Sequence, residues 1–395
     1  MNTSDLLKGY DLSKLTVGVL GGHSALDVCH GAKKQGFKTV CVARKGREKT
    51  YEKYYKSRRS QVTHSTSSVQ AGHRSDDIGC IDELIVVDQF QDILNEDVQK
   101  QLRELNTIFI HNRYFWVYFD DFSQVENNFM VPIFGSRYLL RVEERDQHFT
   151  QYDLLNLAGI RTPKIFESSD DIDCPVLVKA NEAERTYERA FFIANDKKSW
   201  GKEGAKLEKE GKVASNWRDA TIEEFIVGAH VNFNFFYSPL SGELELMGTD
   251  MRRQTNLDGF FRMLAPQQKH ALEFGISPKM IETGHIAVTV KESILEKAFD
   301  LGEKFVSAAK NLTPEVDPST KGMIGPFALQ GAVTAEEGSE DIVIFDVSMR
   351  IPGSPGTVST PYTRYLYGDS ISVGERVAME IEAAVKEGKV SDIVT

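Results

Sequence analysis

The stretch FDVSMR at residues 345–350 decides the predicted fold, because polar side chains recur at every second position of an apolar strand. Successive side chains of a strand point to opposite faces, so Asp346, Ser348 and Arg350 share one face. A carboxylate and a hydroxyl are oxygen ligands of the kind that Mg²⁺ prefers, and an arginine beside them can clamp a phosphate or an acyl phosphate. A polar strand that faces solvent has the same pattern, so the strand alone leaves both interpretations open.

A second strand precedes this one in the chain. Residues 327–333 and 341–347 are apolar runs, and the polar residues 334–340 between them predict the turn of a β-hairpin. The hairpin places Gln330 on the strand next to Asp346, which adds an amide oxygen to the predicted metal ligands.

A loop rich in proline and glycine follows at residues 351–356, directly after Arg350. Its backbone can approach an anion closely. Together with the hairpin it forms an arrangement suited to phosphoryl transfer, in which positioning and charge neutralisation supply most of the catalysis.

The N-terminal sequence predicts a β-turn-α-β unit of a parallel sheet. Residues 15–20 and 39–43 form apolar strands, with a helix over 25–35 between them. The turn GGHS at residues 21–24 lies at the carboxyl edge of such a sheet, and the helix that begins there favours an anion. Further strands at 83–87, 107–110 and 131–135 continue the sheet.

Composition limits the possible functions. With 395 residues, of which 41% are hydrophobic and 27% charged, the chain is expected to be globular, with two or three domains. Its net charge of −11 disfavours nucleic acid and anionic membranes as partners. We find no signal peptide and no apolar run near the ~20 residues that span a bilayer. The four cysteines lack metal-site spacing and indicate free thiols in the cytoplasm.

Residues 44–59 are rich in Lys, Arg and Tyr, and residues 61–77 are polar and rich in serine. A nucleic-acid patch and a solvated surface loop are the two interpretations of this stretch. The flanking acidic residues dilute the positive charge and favour the loop.

Two elements between the N-terminal unit and the hairpin suggest a nucleotide site. Lys179 ends an apolar strand, where a lysine is either a phosphate ligand or an ordinary surface residue. Residues 221–228, TIEEFIVG, predict an edge-like strand that either offers its backbone to an adenine or is plain sheet.

In chain order, Lys179, the segment 223–228 and the strand 345–350 resemble the nucleotide-site elements of ATP-grasp enzymes. Over residues 15–384 the chain resembles, more closely, the archaeal formate-dependent 5-formaminoimidazole-4-carboxamide ribonucleotide synthetases. The segments that carry this resemblance are 22–26, 132–137, 236–239, 245–248, 252–253, 325–327 and 372–380. It implies a Rossmann-like parallel α/β domain at 1–135, an ATP-grasp small lobe at 136–226, and a large lobe with antiparallel sheets and the metal site at 227–395.

The resemblance also implies a reaction, in which ATP phosphorylates formate and the formyl phosphate is attacked by the amine of 5-aminoimidazole-4-carboxamide ribonucleotide. It implies a homo-oligomer, either a trimer or a hexamer. It also implies roles for residues at every step. Arg350 steadies the transferring phosphoryl group, and Mg²⁺ (or Mn²⁺) is held by Gln330 and Asp346. ATP is bound by Lys179, Arg185, Glu223, Glu224 and Ile226, and the ribonucleotide by His23, Ser24 and Arg253, the last of which can instead contact ATP.

One segment departs from the family pattern. Residues 180–192 follow Lys179 and contain no glycine, whereas the family has a glycine-rich loop that covers the ATP phosphates. Side-chain charge from Arg185 and Arg189 can replace the backbone N–H groups, or the segment binds something else. Three functions therefore stay open: the formate-dependent ligase, an ATP-grasp ligase for another acid and amine, and a non-catalytic nucleotide sensor.

Overall fold

The computed structural model describes residues 3–59, 77–119, 121–144, 147–180, 190–255, 257–276, 282–336 and 338–395. Three main sheets follow one another along the chain, the first parallel and the other two antiparallel. Within these ranges no helix has the length and apolar character needed to cross a membrane.

The first sheet has five parallel strands, as the N-terminal pattern predicts, and the structure gives their order as β5-β2-β1-β6-β7. Its central strand is completely buried, since helices cover both faces. The strands of this region are β1 (Thr16–Leu20), β2 (Lys38–Arg44), the short antiparallel pair β3 (Arg58–Arg59) and β4 (Asp77–Ile78), β5 (Glu83–Val87), β6 (Thr107–Ile110) and β7 (Ile133–Phe134). The helices are α1 (Thr3–Leu6), α2 (Ala25–Lys34), α3 (Glu96–Glu104), α4 (Tyr114–Val117) and α5 (Phe122–Asn128).

The second sheet has four antiparallel strands in the order β10-β9-β11-β8. They are β8 (Ile165–Phe166), β9 (Val176–Ala180), β10 (Ala190–Ala194) and β11 (Thr221–Glu224), with helices α6 (Gln151–Leu157) and α7 (Lys197–Lys209). The prediction of an edge-like strand at 221–228 is wrong, because β11 pairs with β9 on one side and with β8 on the other.

The third sheet has five antiparallel strands in the order β14-β13-β12-β15-β16. They are β12 (Ala229–Tyr237), β13 (Leu244–Gln254), β14 (Glu282–Ala287), β15 (Gly325–Glu336) and β16 (Ser339–Ser348). The remaining helices are α8 (Leu257–Phe260), α9 (Ala265–Glu273), α10 (Glu292–Lys310), α11 (Tyr362–Tyr367), α12 (Val373–Glu387) and α13 (Val390–Ile393).

The β15–β16 hairpin confirms that Gln330 and Asp346 lie on adjacent strands, where the two residues pair directly. Its turn is shorter than the predicted 334–340, because the ladder continues to the pair Glu336 and Ser339. Polar residues that point to solvent continue a strand as readily as they end one, so polarity alone placed the turn too early.

The two faces of the third sheet differ in chemistry because side chains alternate along β12. Val231, Phe233 and Phe235 belong to the hydrophobic core that also contains residues of α10, while Asn232 and Asn234 take the opposite face. The polar face is the one that carries the predicted metal ligands.

The end of the chain returns to the first sheet. Val394 bridges to Phe134, and the N–H of Ile133 donates to the Thr395 carbonyl at 3.0 Å. Helix α12 packs on α2 so closely that a Cβ added to Gly31 would lie 2.1 Å from the backbone N of Glu375. The region predicted as the large lobe, 227–395, thus helps to fix the helix that begins at the GGHS turn.

Candidate active site

The polar face of the third sheet holds one row of four side chains across four strands. Asp346 pairs with Gln330, Gln330 with Asn232, and Asn232 with Asp250. Ser348 lies one pleat further along β16, and its Oγ accepts a hydrogen bond of 3.0 Å from Gln330 Nε2. The set of oxygen ligands that the FDVSMR stretch predicts is therefore brought together on one face.

An arginine joins the two predicted metal ligands. Arg252 Nη2 donates to Gln330 Oε1 at 2.5 Å and to Asp346 Oδ2 at 3.3 Å. Asp346 Oδ1 also accepts from Gln151 Nε2 at 3.5 Å. The two oxygens thus converge on one positively charged nitrogen.

Arg350 is buried at the end of the same strand. Its Nη1 donates to the Ile351 carbonyl at 3.2 Å, and its Nε lies 3.5 Å from Glu143 Oε2 without forming a hydrogen bond within the described part of the chain. Glu143 accepts from the N–H of Met349 at 2.6 Å. Burial raises the pKa of Glu143 to about 7, although the charge of Arg350 and the Met349 N–H oppose the shift.

Lys179 forms a buried ion pair with Glu223 across β9 and β11. Tyr152 of α6 completes the cluster: its hydroxyl donates to Glu223 at 2.9 Å, and Lys179 Nζ donates to that hydroxyl at 3.3 Å. Tyr152 is also 3.3 Å from the Phe345 carbonyl, which connects the second sheet to β16. The side chains of Lys179 and Glu223 are only 8% and 3% exposed, so any phosphate that takes Lys179 competes with Glu223.

The GGHS turn lies at the carboxyl end of β1 and faces the loop after Arg350. Ser24 has a φ of 65°, and its hydroxyl donates to the Pro352 carbonyl. A Cβ on Gly353 would lie 2.9 Å from His23 Nδ1, so a larger residue there would displace the imidazole. Burial lowers the pKa of His23, although the charge of Glu282 opposes the shift.

The remaining predicted residues lie apart from this cluster. Glu224 accepts from the backbone N of Lys164 at 3.1 Å, and Ile226 is half-buried just after β11. Arg253 is exposed, and alternation along β13 puts it on the opposite face from Arg252. Arg185 lies outside the described residues.

Sequence reasoning missed a buried charged group on β13 and β14. Asp250 accepts from Asn234 at 2.6 Å and from Asn232 at 2.9 Å, and its Oδ2 lies 2.5 Å from His285 Nδ1. His285 Nε2 lies 2.9 Å from Glu282 Oε1. A carboxylate within an otherwise apolar strand was an available signal for Asp250, whereas β14 has no alternation to reveal His285 and Glu282.

The contacts of His285 with Asp250 and Glu282 predict a pH dependence of stability. Burial alone would lower the pKa of His285, but hydrogen bonds to Asp250 and Glu282 outweigh it and raise the pKa to about 9 from 6.5. Because the folded pKa is raised, this stabilisation is complete below pH 6.5 and is lost as the pH rises through 9. We expect His285→Gln to lower the free energy of unfolding by roughly 3 kcal/mol at pH 6.

Urea denaturation at pH 6 and at pH 9.5 measures this difference between wild type and His285→Gln. We expect the gap between the two proteins to shrink at the higher pH. A gap of equal size at both pH values would contradict a protonated His285.

Family models match two parts of the chain. The model DUF1246, described as a protein of unknown function, matches residues 17–166. The model DUF1297, described as a domain of unknown function, matches residues 200–395.

Solved structures define the fold class. An IMP biosynthesis protein PurP from Thermococcus kodakaraensis superposes with a TM-score of 0.65 at 24% identity, covering 96% of this chain and 100% of that one. The ADP complex of PurK, an N5-carboxyaminoimidazole ribonucleotide synthetase, gives 0.53 at 12% identity, covering 91% of this chain and 78% of that one. The arrangement of the sheets is that of the ATP-grasp fold, as predicted.

Curated relatives match along the full length. The 5-formaminoimidazole-4-carboxamide-1-(beta)-D-ribofuranosyl 5'-monophosphate synthetase of Methanocaldococcus jannaschii is 35% identical over 99% of this chain and 98% of its own. The synthetase of the same name from Methanopyrus kandleri is 34% identical, with the same coverage of both chains. The chain belongs to this family of synthetases, which confirms the resemblance found in the sequence.

Proposed function

We propose that the chain is an ATP-dependent ligase of IMP biosynthesis, which formylates 5-aminoimidazole-4-carboxamide ribonucleotide with formate and releases ADP and phosphate. The observation that carries this proposal is the full-length similarity, at 35% identity, to a synthetase named for the formylated product. The enzyme class is a ligase that forms a carbon–nitrogen bond. Three features of the site support this proposal: the buried Lys179, the neighbouring oxygens of Gln330 and Asp346, and the buried Arg350.

The chemistry runs in two steps. A formate oxygen attacks the γ-phosphorus of ATP, ADP leaves, and formyl phosphate forms. The amine nitrogen of the ribonucleotide then attacks the formyl carbon, the bond from that carbon to the phosphate oxygen breaks, and the nitrogen loses a proton. Both steps place negative charge on phosphate oxygens, which is where a positively charged site stabilises the transition state.

Gln330 and Asp346 fit a divalent cation, because their oxygens already converge on a single positively charged nitrogen of Arg252. An amide and a carboxylate leave the other positions of Mg²⁺ to water and to phosphate oxygens, and Mn²⁺ accepts the same ligands. When bound, the ion neutralises charge on the phosphates of ATP.

Arg350 is the residue that we assign to the transferring phosphoryl group. Arg350 is 8% exposed, and its Nε makes no hydrogen bond among the described residues. Its Nη1 donates to the Ile351 carbonyl. A buried guanidinium with spare N–H groups gains strong, charge-assisted hydrogen bonds from a phosphate. Lys179, released from Glu223, is assigned to the ATP phosphates.

The other ligands are assigned by family. Glu223, Glu224 and Ile226 frame the adenine, Arg185 covers the ATP phosphates, and His23 and Ser24 hold the ribonucleotide, with Arg253 on its phosphate or on ATP. The hydrogen bond from Ser24 to the Pro352 carbonyl supports the pairing of the two substrates at the loop after β16.

The family also supports coarser features of the molecule. We propose the division into domains at 1–135, 136–226 and 227–395, assembly into trimers or hexamers, and a cytoplasmic location. Small molecules, and neither nucleic acid nor membrane, are the proposed partners.

A second function is favoured by one observation. The segment 180–192 contains no glycine, so it cannot present successive backbone N–H groups to the ATP phosphates as a glycine-rich loop does. An ATP-grasp ligase that joins another acid to another amine would keep the metal site and Lys179 and differ at this segment.

An ADP-release assay distinguishes the two functions. We expect ADP to form when ATP, Mg²⁺, formate and the aminoimidazole carboxamide ribonucleotide are all present, and release to fall to background when any one is omitted. Other small carboxylates and other amines form the comparison panel. Background release with the complete formate mixture, combined with turnover of another acid and amine pair, would replace the first function by the second.

A further inference from the structure

The three hydrogen-bonded side chains of Asp250, His285 and Glu282 take no part in the reaction as described above. Both imidazole nitrogens of His285 face carboxylate oxygens, at 2.5 and 2.9 Å, so the ring donates from both. Asn232 and Asn234 hold the inner carboxylate, Asp250, in place. These three side chains therefore form a rigid support that ends in Glu282.

Glu282 is the open end of this support. Asp250 is 1% exposed, whereas the side chain of Glu282 is 28% exposed. One Glu282 oxygen is held by His285, and the other lies 3.5 Å from Arg252 Nε. An ionised carboxylate accepts about four hydrogen bonds, so Glu282 keeps acceptor capacity on its exposed side.

Glu282 reaches the polar face of the third sheet through Arg252. Its Oε2 lies 3.5 Å from Arg252 Nε, and Arg252 Nη2 donates to Gln330 and to Asp346. Glu282 is therefore one side chain away from the two predicted metal ligands.

The other carboxylates described around the site are already engaged. Glu223 forms an ion pair with Lys179, and its side chain is 3% exposed. Glu143 accepts from the N–H of Met349 and lies beside Arg350, and its side chain is 7% exposed. Asp346 is held by Arg252 and is needed for the cation. Glu282 is also held, by His285 and Arg252, but its side chain is 28% exposed against 20% for Asp346, so of these four carboxylates it offers the most open acceptor.

We propose that Glu282 accepts a hydrogen bond from the nucleophilic amine of the second substrate and orients it, with His285 as the positioning residue that holds Glu282. This inference rests on the proposed function, because it needs an amine substrate at the site. An amine N–H requires an acceptor, which the arginines at the site cannot supply. Fixing the amine by one N–H directs its lone pair and lowers the entropic part of the barrier.

The charge state of Glu282 agrees with this role. Burial raises its pKa, but the hydrogen bond to His285 and the charges of His285, Arg252 and His23 outweigh that effect and lower it to about 2. Glu282 is therefore an acceptor at neutral pH and would not itself take the proton that the amine loses.

Isothermal titration of the aminoimidazole carboxamide ribonucleotide tests the inference directly. We expect Glu282→Gln to weaken binding of this ribonucleotide by about 10- to 100-fold, the range of a lost hydrogen bond to a charged group. Binding of ADP with Mg²⁺ should stay within about twofold, which also shows that the variant is folded. Glu292→Gln, at the exposed start of α10, removes the same charge elsewhere and should change neither affinity.

His285→Gln separates positioning from a general loss of structure. We expect it to raise KM for the ribonucleotide while KM for ATP stays the same. Equal affinity of wild type and Glu282→Gln for the ribonucleotide would overturn the inference alone. Parallel loss of ADP binding in Glu282→Gln would assign Glu282 to the support of Arg252 instead, and absence of ribonucleotide binding to wild type would overturn the proposed function with it.

Discussion

Replacing Asp346 by alanine is expected to lower turnover by roughly 10³-fold while the protein stays folded. The variant removes the only carboxylate of the Gln330–Asp346 pair, and the amide oxygen that remains carries no net charge to hold a divalent cation. The fold should tolerate the change, because Arg252 keeps Gln330 and Glu282 as partners. ADP release with saturating substrates gives turnover, and thermal unfolding gives stability.

Asp341 offers a matched control on the same strand. It forms an ion pair of 3.3 Å with Arg161 at the far end of β16, and both side chains are at least one-third exposed. An exposed pair of this kind contributes about 0–1 kcal/mol, so Asp341→Ala should leave turnover unchanged. Near-normal turnover in Asp346→Ala, or an equal loss in Asp341→Ala, would remove Asp346 from the metal site.

Part of the backbone pairing of this site could be predicted because it follows from periodicity. Two apolar runs with a polar connection predict a hairpin with Gln330 and Asp346 on adjacent strands, and period-two alternation sets Arg350 on the same face as Asp346. The direct pairing of Gln330 with Asp346 follows from a register shift between Gln330 and Gly331, which periodicity does not reveal. The β-turn-α-β unit at the N-terminus is predictable for a similar reason, since its strand lengths and its glycine-bounded helix are local signals.

The identity of the arginine in the site could not be predicted in this way. Arg252 and Arg253 are neighbours in sequence, and a shift of one residue exchanges their faces. The register that settles the choice comes from β12 and β14, and β13 pairs with β14 through an irregularity at Arg253 and Gln254. Tertiary pairing, rather than any local preference, brings Arg252 to Gln330.

The second sheet shows the same limit. The chain from Thr221 to Glu224 was expected at an edge, yet β8 covers it with a strand of only two residues, Ile165 and Phe166. A pair that short has no periodicity to detect. The buried partner of Lys179 was missed for a related reason, because Glu223 faces Lys179 only through the register of β11 on β9.

The Lys179–Glu223 pair allows the roles of Lys179 in folding and in catalysis to be separated. Lys179→Met leaves Glu223 as a buried carboxylate with only the Tyr152 hydroxyl as a hydrogen-bond partner among the side chains of the cluster. We expect this single variant to lose about 3–5 kcal/mol of unfolding free energy, the cost of breaking a buried ion pair on one side. Turnover should fall by roughly 10²- to 10³-fold, since the ATP phosphates lose a charge-assisted contact.

The double variant Lys179→Met/Glu223→Gln decides between the two roles. It removes both charges, and the amide of Gln still accepts from Tyr152, so most of the lost stability should return. Turnover should not return, because a phosphate gains nothing from Met at position 179. Urea denaturation and ADP release on the wild type, the single and the double variant measure the two quantities separately. If turnover recovers together with stability, Lys179 serves only to neutralise Glu223, and the ATP phosphates must be held by other residues.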